Sequence, residues 1–222
     1  MTSVGGNGDF NFADQYGIVE RLYADGMMTS DSWKETLSRA GIAFAPGLTA
    51  AELRHAEEMH GFMFPEDLAE LLRLALPVSK GWPNWREPRS ESIVSALAWP
   101  LEGLLFDIQN DQFWPPEWGA RPAELTDAFE IGRARVAEAP KLIPICGHRY
   151  LPSEPAERGN PVFSVYQTDI IYYGANLAEY FANEFSYYFR GPNAPHIVTE
   201  PVKRIEFWSR IVDINSGWTD DE

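Results

Sequence analysis

Residues 48–76, LTAAELRHAEEMHGFMFPEDLAELLRLAL, carry the strongest local signals in the chain and predict a hairpin of two helices. Thr49 is a good N-cap because its hydroxyl can accept a backbone N–H of the first turn. Glu52, three residues later, completes the T-x-x-E pattern of a capping box. Gly61 can adopt the left-handed conformation that ends a helix. The first helix is therefore predicted to run from Thr49 to Gly61.

The second helix of this hairpin is also marked at both ends. Pro65 suits the first helical position, where its missing N–H costs nothing. Glu66 and Asp67 place negative charge at the positive end of the helix dipole. Pro77 stops the helix, because proline cannot continue it. The predicted apolar stripe consists of Leu68, Leu71, Leu72 and Ala75.

The composition is that of a globular protein. The chain has 222 residues, of which 45% are hydrophobic, so it can bury a substantial core. It contains no apolar run long enough to span a membrane, and its start lacks the basic and apolar segments of a signal peptide. The only cysteine, Cys146, excludes an intramolecular disulfide and a cysteine zinc cluster. We therefore expect a cytoplasmic location.

The net charge of −15 bears on the class of partner. It argues against nucleic-acid binding, because phosphate contacts need a basic face. It suits a basic protein partner that is reached with electrostatic steering. The alternative is that the charge only keeps the protein dispersed in solution.

The chain divides into a helical extension at 1–47, a single domain at 48–214 and an acidic tail at 215–222. Helices are predicted in the extension at 15–28 and from Ser30 or Asp31 to Gly41. The tryptophans and prolines of 80–123 predict an insertion packed on the domain core. Residues 43–47 are interpreted as a connector.

The second half of the domain changes from helical to strand patterning after Pro140. Short strands are predicted at 142–145, 148–151, 162–167 and 170–173. Because they are short and consecutive, antiparallel pairing in a meander is expected. Further helices are predicted at 92–97, 101–107 after Pro100, 126–138 with Thr126 as its cap, and 177–189; 204–214 fits a helix or an edge strand, with the apolar spacing favouring the helix. The predicted class is α+β, an antiparallel sheet packed by helices.

The sequence offers little catalytic chemistry. His55 and His60 are five residues apart, whereas a zincin needs H-E-x-x-H so that both imidazoles face one metal. Cys146 and His148 would share a face of a strand, so contact between them is possible. The alternative for this pair is a buried small residue beside a surface histidine. We expect no metal, no cofactor and no catalytic residue.

Aromatic residues are the remaining signal, since exposed tryptophan and tyrosine beside acids make good anchors for a protein partner. The alternative is that these rings form the core of a segment poor in aliphatic residues. The candidate contact residues, chosen as aromatics and acids of loops or strand edges, are Trp85, Asp107, Trp114, Trp118, Asp169 and Tyr172.

Several motifs, taken in order, resemble the SUKH superfamily of Smi/Knr-like proteins. Glu52 and Glu57 have the family's E-x-x-x-x-E spacing, and the turn after them reads FPED at 64–67. The second match consists of LIPI at 142–145, GNPVFSVYQTDIIYYG at 159–174 and the helix that follows. The segments WPLEGLLFD and FWPPEWGARP look like a bacterial subgroup of the family.

The resemblance implies a bent antiparallel sheet packed by helices and a non-enzymatic interaction module. Bacterial relatives are often immunity proteins that bind and neutralise a toxin, commonly a nuclease. The expected function is therefore immunity-type protein binding, with a basic toxin as the candidate partner. The alternatives are a small-molecule-binding or hydrolytic enzyme that uses an aromatic cleft, and a structural subunit of an assembly.

Overall fold

The computed structural model describes residues 30–217. The helix predicted at 15–28 lies outside the described residues, as does the end of the tail. The described part is an α+β structure with a two-stranded and a four-stranded sheet, both antiparallel. The predicted class is therefore confirmed.

The first elements are α1 (Ser30–Arg39), β1 (Phe44–Pro46), α2 (Ala50–His60), α3 (Glu66–Leu74) and β2 (Ala75–Pro77). The predicted hairpin is α2 and α3. Both bonds of the capping box are present: Glu52 N donates to the Thr49 hydroxyl at 3.2 Å, and Thr49 N donates to Glu52 Oε2 at 2.7 Å. Gly61 ends α2 with a φ of 63°. Both ends of the first helix therefore agree with the prediction from its local capping residues.

The second helix differs from its prediction at both ends. Pro65 is the N-cap residue, and the helix stops at Leu74 instead of continuing through Ala75. Ala75 starts β2, which pairs with β1, the segment interpreted as a connector. The chain crosses α3 so closely that a Cβ on Gly47 would overlap the Arg73 carbonyl group. This pairing joins residues some thirty positions apart, which is why local patterning does not show it.

The longest helix, α4 (Glu91–Gln109), corrects the prediction of two shorter helices separated at Pro100. A proline inside a helix leaves the carbonyl four residues earlier without its N–H donor. Here that carbonyl belongs to Ala96, and the hydroxyl of Tyr150 donates to it at 2.8 Å. Tyr150 is 1% exposed and comes from the sheet. A distant side chain therefore replaces the lost helical bond, and the helix continues through Pro100.

A 3₁₀ turn (Pro116–Trp118) and α5 (Leu125–Glu138) follow. The helix begins at Leu125 after Glu124, with no side-chain cap, so the prediction that Thr126 caps it was wrong. Its end at Glu138 agrees with the prediction. The range 80–123, predicted as an insertion, includes α4, whose Leu104 and Ile108 are buried.

The four predicted strands are confirmed as β3 (Leu142–Cys146), β4 (Arg149–Pro152), β5 (Val162–Tyr166) and β6 (Asp169–Gly174), paired in that order. Asn176 caps α6 (Leu177–Glu184). The helix predicted to reach 189 is interrupted at Phe185 and resumes as α7 (Ser186–Arg190). The last segment, for which a helix was favoured over an edge strand, forms the helix α8 (Trp208–Asn215).

The four-stranded sheet contributes to two hydrophobic cores, because alternate residues of a strand point to opposite faces. Ile143 and Leu151 join the first core with α2, α3 and α6. Leu142, Tyr150 and Phe163 join the second with α4, α5 and α8. Trp33 and Leu37 of α1 also lie in the first core, so this part of the predicted extension packs on the domain.

One of the two edge strands of the four-stranded sheet is β6, and α8 covers part of it. The side-chain amide of Asn215 donates to the carbonyl oxygens of Thr168 and Ile170, at 2.7 and 3.0 Å. The final turn of α8 is thereby attached to the start of β6. None of the helices within residues 30–217 is long and apolar enough to cross a membrane.

The link between Tyr150 and Pro100 can be tested with a double-mutant cycle. Tyr150→Phe leaves the half-buried Ala96 carbonyl without a donor, and we expect it to lower the free energy of unfolding by about 1–3 kcal/mol. Pro100→Ala restores a backbone N–H that can bond to Ala96. In the Pro100→Ala background, Tyr150→Phe should therefore cost much less, as measured by urea denaturation. Equal costs in both backgrounds would mean that the hydroxyl does not serve this carbonyl.

Glu52 predicts a pH dependence of stability. Hydrogen bonds from Arg86, at 2.7 Å, and then from Thr49 lower the pKa of Glu52 from 4.5 to about 2. A carboxylate with a lowered pKa stabilises the fold above its unfolded pKa, and this stabilisation is lost as the pH falls through the folded pKa. We expect the advantage in melting temperature of the wild type over Glu52→Gln to be constant above about pH 5 and to shrink towards pH 2. An advantage that grew on acidification would contradict this assignment.

Candidate functional site

Two of the six predicted contact residues are buried, and the prediction that they face a partner was wrong for both. Trp85 is 1% exposed, because its ring packs edge to face against Phe64 and Phe62, with centroids 5.0 and 5.9 Å away. The alternative interpretation, that such rings form the core, holds for this tryptophan. Asp107 is 6% exposed and is occupied by internal hydrogen bonds.

Trp114 and Trp118 are half-buried and lie together. Their ring centroids are 5.3 Å apart in an edge-to-face arrangement, and the indole N–H of Trp114 donates to the Gly119 carbonyl at 2.8 Å. Phe113 lies beneath Trp118 at 5.6 Å. These two tryptophans therefore combine a partly structural role with some accessible surface.

Tyr172 and Asp169 differ although both belong to β6. Tyr172 is half-buried on Phe163, with ring centroids 5.2 Å apart, and its hydroxyl donates to Ser209 at 2.6 Å. Burial raises the pKa of this phenol. Asp169 is exposed at the start of the strand. Of the six candidates, Asp169 is thus the most accessible.

The buried carboxylate of Asp107 fixes the turn between β5 and β6. Its Oδ2 accepts hydrogen bonds from the backbone N–H and the hydroxyl of Thr168, at 2.9 and 2.6 Å. Gly103, one helical turn earlier, lies against the same turn, since a Cβ there would be 2.7 Å from Cα of Gln167. Gln167 has a φ of 55°, an uncommon conformation for a residue other than glycine. The contacts with α4 hold this strained turn in place.

Three exposed aromatic rings lie on the turn and on the α4 helix that packs against it. Trp99 is 39% exposed, Phe106 51% and Tyr166 59%. The rings of Trp99 and Tyr166 have centroids 6.1 Å apart, and the indole N–H of Trp99 donates to the Val165 carbonyl at 3.1 Å. Phe106 lies two turns along α4 from Trp99, on the same side of the helix.

Acidic residues accompany these rings. Asp169 pairs directly with Tyr166 across the two strands, so both side chains lie on one face of the sheet. Glu102 is exposed between Trp99 and Phe106 on α4. We define the turn patch as Trp99, Glu102, Phe106, Tyr166 and Asp169.

The sequence around the turn patch contains no basic residue. Residues 90–120 include five acids and no Lys, Arg or His, and residues 159–189 include three acids and none of these bases. Both segments that build the patch are therefore acidic.

Of the turn patch, the sequence analysis selected only Asp169. It missed Trp99 and Glu102, and also Phe106 and Tyr166, whose signals differ. The separation of seven between Trp99 and Phe106 places them on one helical face only if 91–109 is a single helix, which the expected break at Pro100 concealed. Tyr166 was visible as the outward position beside buried Val165 in the alternating strand. The signal for both existed, but it depended on the correct element boundaries.

The thiol–imidazole pair considered as a catalytic alternative lacks the geometry and the ionisation it needs. Burial, and then the nearby carboxylate of Glu184, raise the pKa of the Cys146 thiol to about 11. Burial and Arg149 lower the pKa of His148. No hydrogen bond joins the two side chains in the described structure. At neutral pH the sulfur is therefore a thiol, which is a poor nucleophile.

The two histidines of α2, His55 and His60, were the candidates for a metal site. Within 30–217 no group of three or more His, Cys, Asp and Glu side chains could hold a metal ion. His60 instead lies 2.8 Å from the Pro88 carbonyl through Nε2. His55 and His60 are thus not brought together as ligands.

Comparisons of the chain with protein-family models, with curated proteins and with solved structures found no match. The resemblance to the SUKH superfamily therefore stays a prediction from its motifs. The geometry of the turn patch is the observation from which a function can be inferred.

The close contact of the β5–β6 turn with Gly103 of α4 predicts whether Gly103→Ala stabilises or destabilises the fold. By helix propensity, Gly103→Ala should stabilise α4 by about 1 kcal/mol. The Cβ would instead press on the backbone of Gln167, and we expect a net destabilisation of about 1–3 kcal/mol in urea denaturation. A stabilised variant would show that the turn does not rest on Gly103.

Proposed function

We propose that this chain is a non-enzymatic protein-binding module whose turn patch docks on a basic surface of a partner protein. The observation that carries the proposal is the combination of three exposed aromatic rings with two carboxylates on a turn that lacks basic residues. Trp and Tyr dominate the binding energy of many interfaces, because they bury a large area with few rotatable bonds. Contiguous exposed apolar surface on a soluble protein often marks an interaction site.

The rigidity of the turn patch supports this proposal. Asp107, Gly103 and the indole N–H of Trp99 all attach the β5–β6 turn to α4. A surface that is already ordered pays less entropy when it binds. The strain at Gln167 is also of a kind that persists mainly where the surrounding structure maintains it for a purpose.

The charge of the chain defines the chemistry of the partner. With a net charge of −15 and acidic segments on both sides of the turn patch, association with a basic protein would be accelerated by long-range attraction. This attraction should weaken as salt is added, because the charges are exposed. A basic partner is therefore favoured over an acidic or neutral one.

The motifs of the sequence extend the proposal to a biological role. They resemble the SUKH superfamily, and bacterial members of that family are often immunity proteins. We accordingly infer that the partner is a toxin, in particular a basic one such as a nuclease, and that binding neutralises it in the cytoplasm. The thiol state of Cys146 weighs against the hydrolytic alternative.

The proposal can be tested by photo-crosslinking from the turn patch. A benzoylphenylalanine at Phe106 is expected to capture one basic protein in the producing cells, whereas the same group at Tyr187 is not. Tyr187 is a matched control because it is 64% exposed, compared with 51% for Phe106. With the purified pair, Tyr166→Ala should weaken the affinity by about tenfold or more, and Tyr187→Ala should leave it unchanged.

The role in immunity has its own readout. Co-expression of the chain should restore growth to cells that produce the captured protein, and Tyr166→Ala combined with Asp169→Lys should abolish this protection while the chain stays folded. Equal crosslinking at both positions, or an affinity that is indifferent to the patch, would contradict the proposed surface. A captured partner that does not impair growth would contradict the immunity role and leave binding intact.

A further inference from the structure

A second surface lies apart from the turn patch, between the 3₁₀ turn, the end of α5 and the segment before α8. It is a groove of about 330 Å³. We call it the Trp118 groove and define it by Glu117, Trp118, Glu138, Glu206 and Phe207, with Arg135 and Arg210 at its sides. Trp118, one of the predicted contact residues, lines this groove and is not part of the turn patch.

The wall of the Trp118 groove is aromatic. The rings of Trp118 and Phe207 are nearly parallel, at 17°, with centroids 6.5 Å apart. Phe207 is half-buried and packs edge to face on Trp208 at 4.8 Å. The two rings therefore offer a continuous aromatic surface at the side of an open groove.

The backbone at Phe207 is strained in order to place this ring. Its φ and ψ are 71° and −60°, and the N–H of Trp208 donates to the Glu206 carbonyl at 3.0 Å. This is a γ-turn with positive φ, which is rare for an L-residue. Ile205 and Trp208, on either side, are both 2% exposed. Their burial fixes the turn, and Phe207 is held at the surface beside Trp118.

The charges of the Trp118 groove favour a cation. Arg210 pairs with Glu117 at 3.0 Å, and Arg135 lies 3.8 Å from Glu138. Both guanidinium groups therefore face a carboxylate of the groove itself. Glu206 is exposed, and its carboxylate makes no hydrogen bond or salt bridge within residues 30–217. Arg204 acts on it electrostatically, but the guanidinium of Arg204 is itself paired with Asp213. The groove thus has three carboxylates against two guanidinium groups.

We propose that the Trp118 groove binds an arginine side chain of a basic protein partner. A guanidinium is planar and weakly hydrated, so it stacks on aromatic rings more readily than an ammonium does. It also forms two parallel hydrogen bonds with one carboxylate. Glu206, next to Phe207, supplies that carboxylate, and the rings of Phe207 and Trp118 supply the stacking surface.

This inference rests on the proposed function, since it assigns a second docking point for the same basic partner. It adds a chemical selectivity that the turn patch does not define. The net negative groove disfavours phosphate groups and other anions. The separate positions of the groove and the turn patch allow the two proposals to be tested independently.

The experiment uses the full chain and three blocked tripeptides, acetyl-Gly-X-Gly-amide with X as arginine, lysine or citrulline. Binding is measured by the shift of tryptophan indole N–H resonances in NMR titrations, with Trp118→Phe identifying the signal of Trp118. We expect saturable binding of the arginine peptide, about three- to tenfold tighter than that of lysine. Citrulline, which keeps the planar shape and loses the charge, should bind more weakly still.

Two variants test the groove itself. Phe207→Gly removes the ring and relieves the positive φ, so the fold should persist while the arginine peptide binds about three- to tenfold more weakly. Glu206→Gln should also weaken binding and leave the structure unchanged. Tyr187→Ala, at an exposed ring outside both surfaces, serves as the control and should leave the affinity for the peptide unaltered.

Equal binding of lysine and arginine would overturn the proposal, because charge alone would then explain the interaction. It would also be overturned by a lack of saturation or by unchanged affinity in Phe207→Gly and Glu206→Gln. None of these outcomes affects crosslinking from Phe106, which reports on the turn patch. Conversely, a failed crosslink with a selective arginine site would contradict the turn patch and retain the groove.

Discussion

The carboxylate of Asp107 connects the longest helix to the turn on which the candidate surface is built. It is buried, yet both hydrogen bonds that it accepts come from Thr168, one from the backbone and one from the hydroxyl. A buried carboxylate is costly unless such donors surround it. Removing them would leave the buried side chain of Asp107 without these donors, so the helix and the turn stabilise each other. The exposed rings of Trp99 and Tyr166 owe their mutual position to this interaction.

The continuation of α4 through Pro100 also depends on a polar group from a distant part of the chain. The helix persists because Tyr150, from a strand fifty residues later, reaches the Ala96 carbonyl. That bond offsets the loss of the N–H at Pro100, and Trp99 and Phe106 stay on one continuous helix. In both cases a polar group of the sheet or of its turn determines how the longest helix presents its aromatic residues. The sheet and α4 therefore form one structural unit.

The elements that could be predicted from the sequence are those whose signals are local. Thr49 with Glu52, Gly61, Asn176 and the alternation along β5 each lie within a few residues of the structure that they specify. The wrong predictions concern residues whose partners lie far along the chain. Ala75 pairs with Pro46, and the helix at Pro100 depends on Tyr150. Propensity and capping rules contain no information about such partners, and tertiary contacts override them.

The candidate site shows the same limit. Trp85 and Trp99 are both tryptophans near prolines, but one fills the first core and the other lies at the surface. Only the packing of Phe62 and Phe64 around Trp85 separates the two cases. Asp169 was identified from its position at a strand end, whereas the exposed face of α4 was hidden by the misplaced break. The residue types indicated that the surface would be aromatic and acidic. Which of these residues are exposed depends on tertiary packing.

The amide of Asn215 has a consequence for how this chain can associate. The Ile170 carbonyl points away from β5, since the N–H of Val165 bonds to His148 instead, and Asn215 occupies it together with the Thr168 carbonyl. A foreign strand that approached this part of β6 would find its acceptors already used. Complexes formed here must then rely on side-chain contacts instead of an extended ladder, and stacking of copies edge to edge is disfavoured.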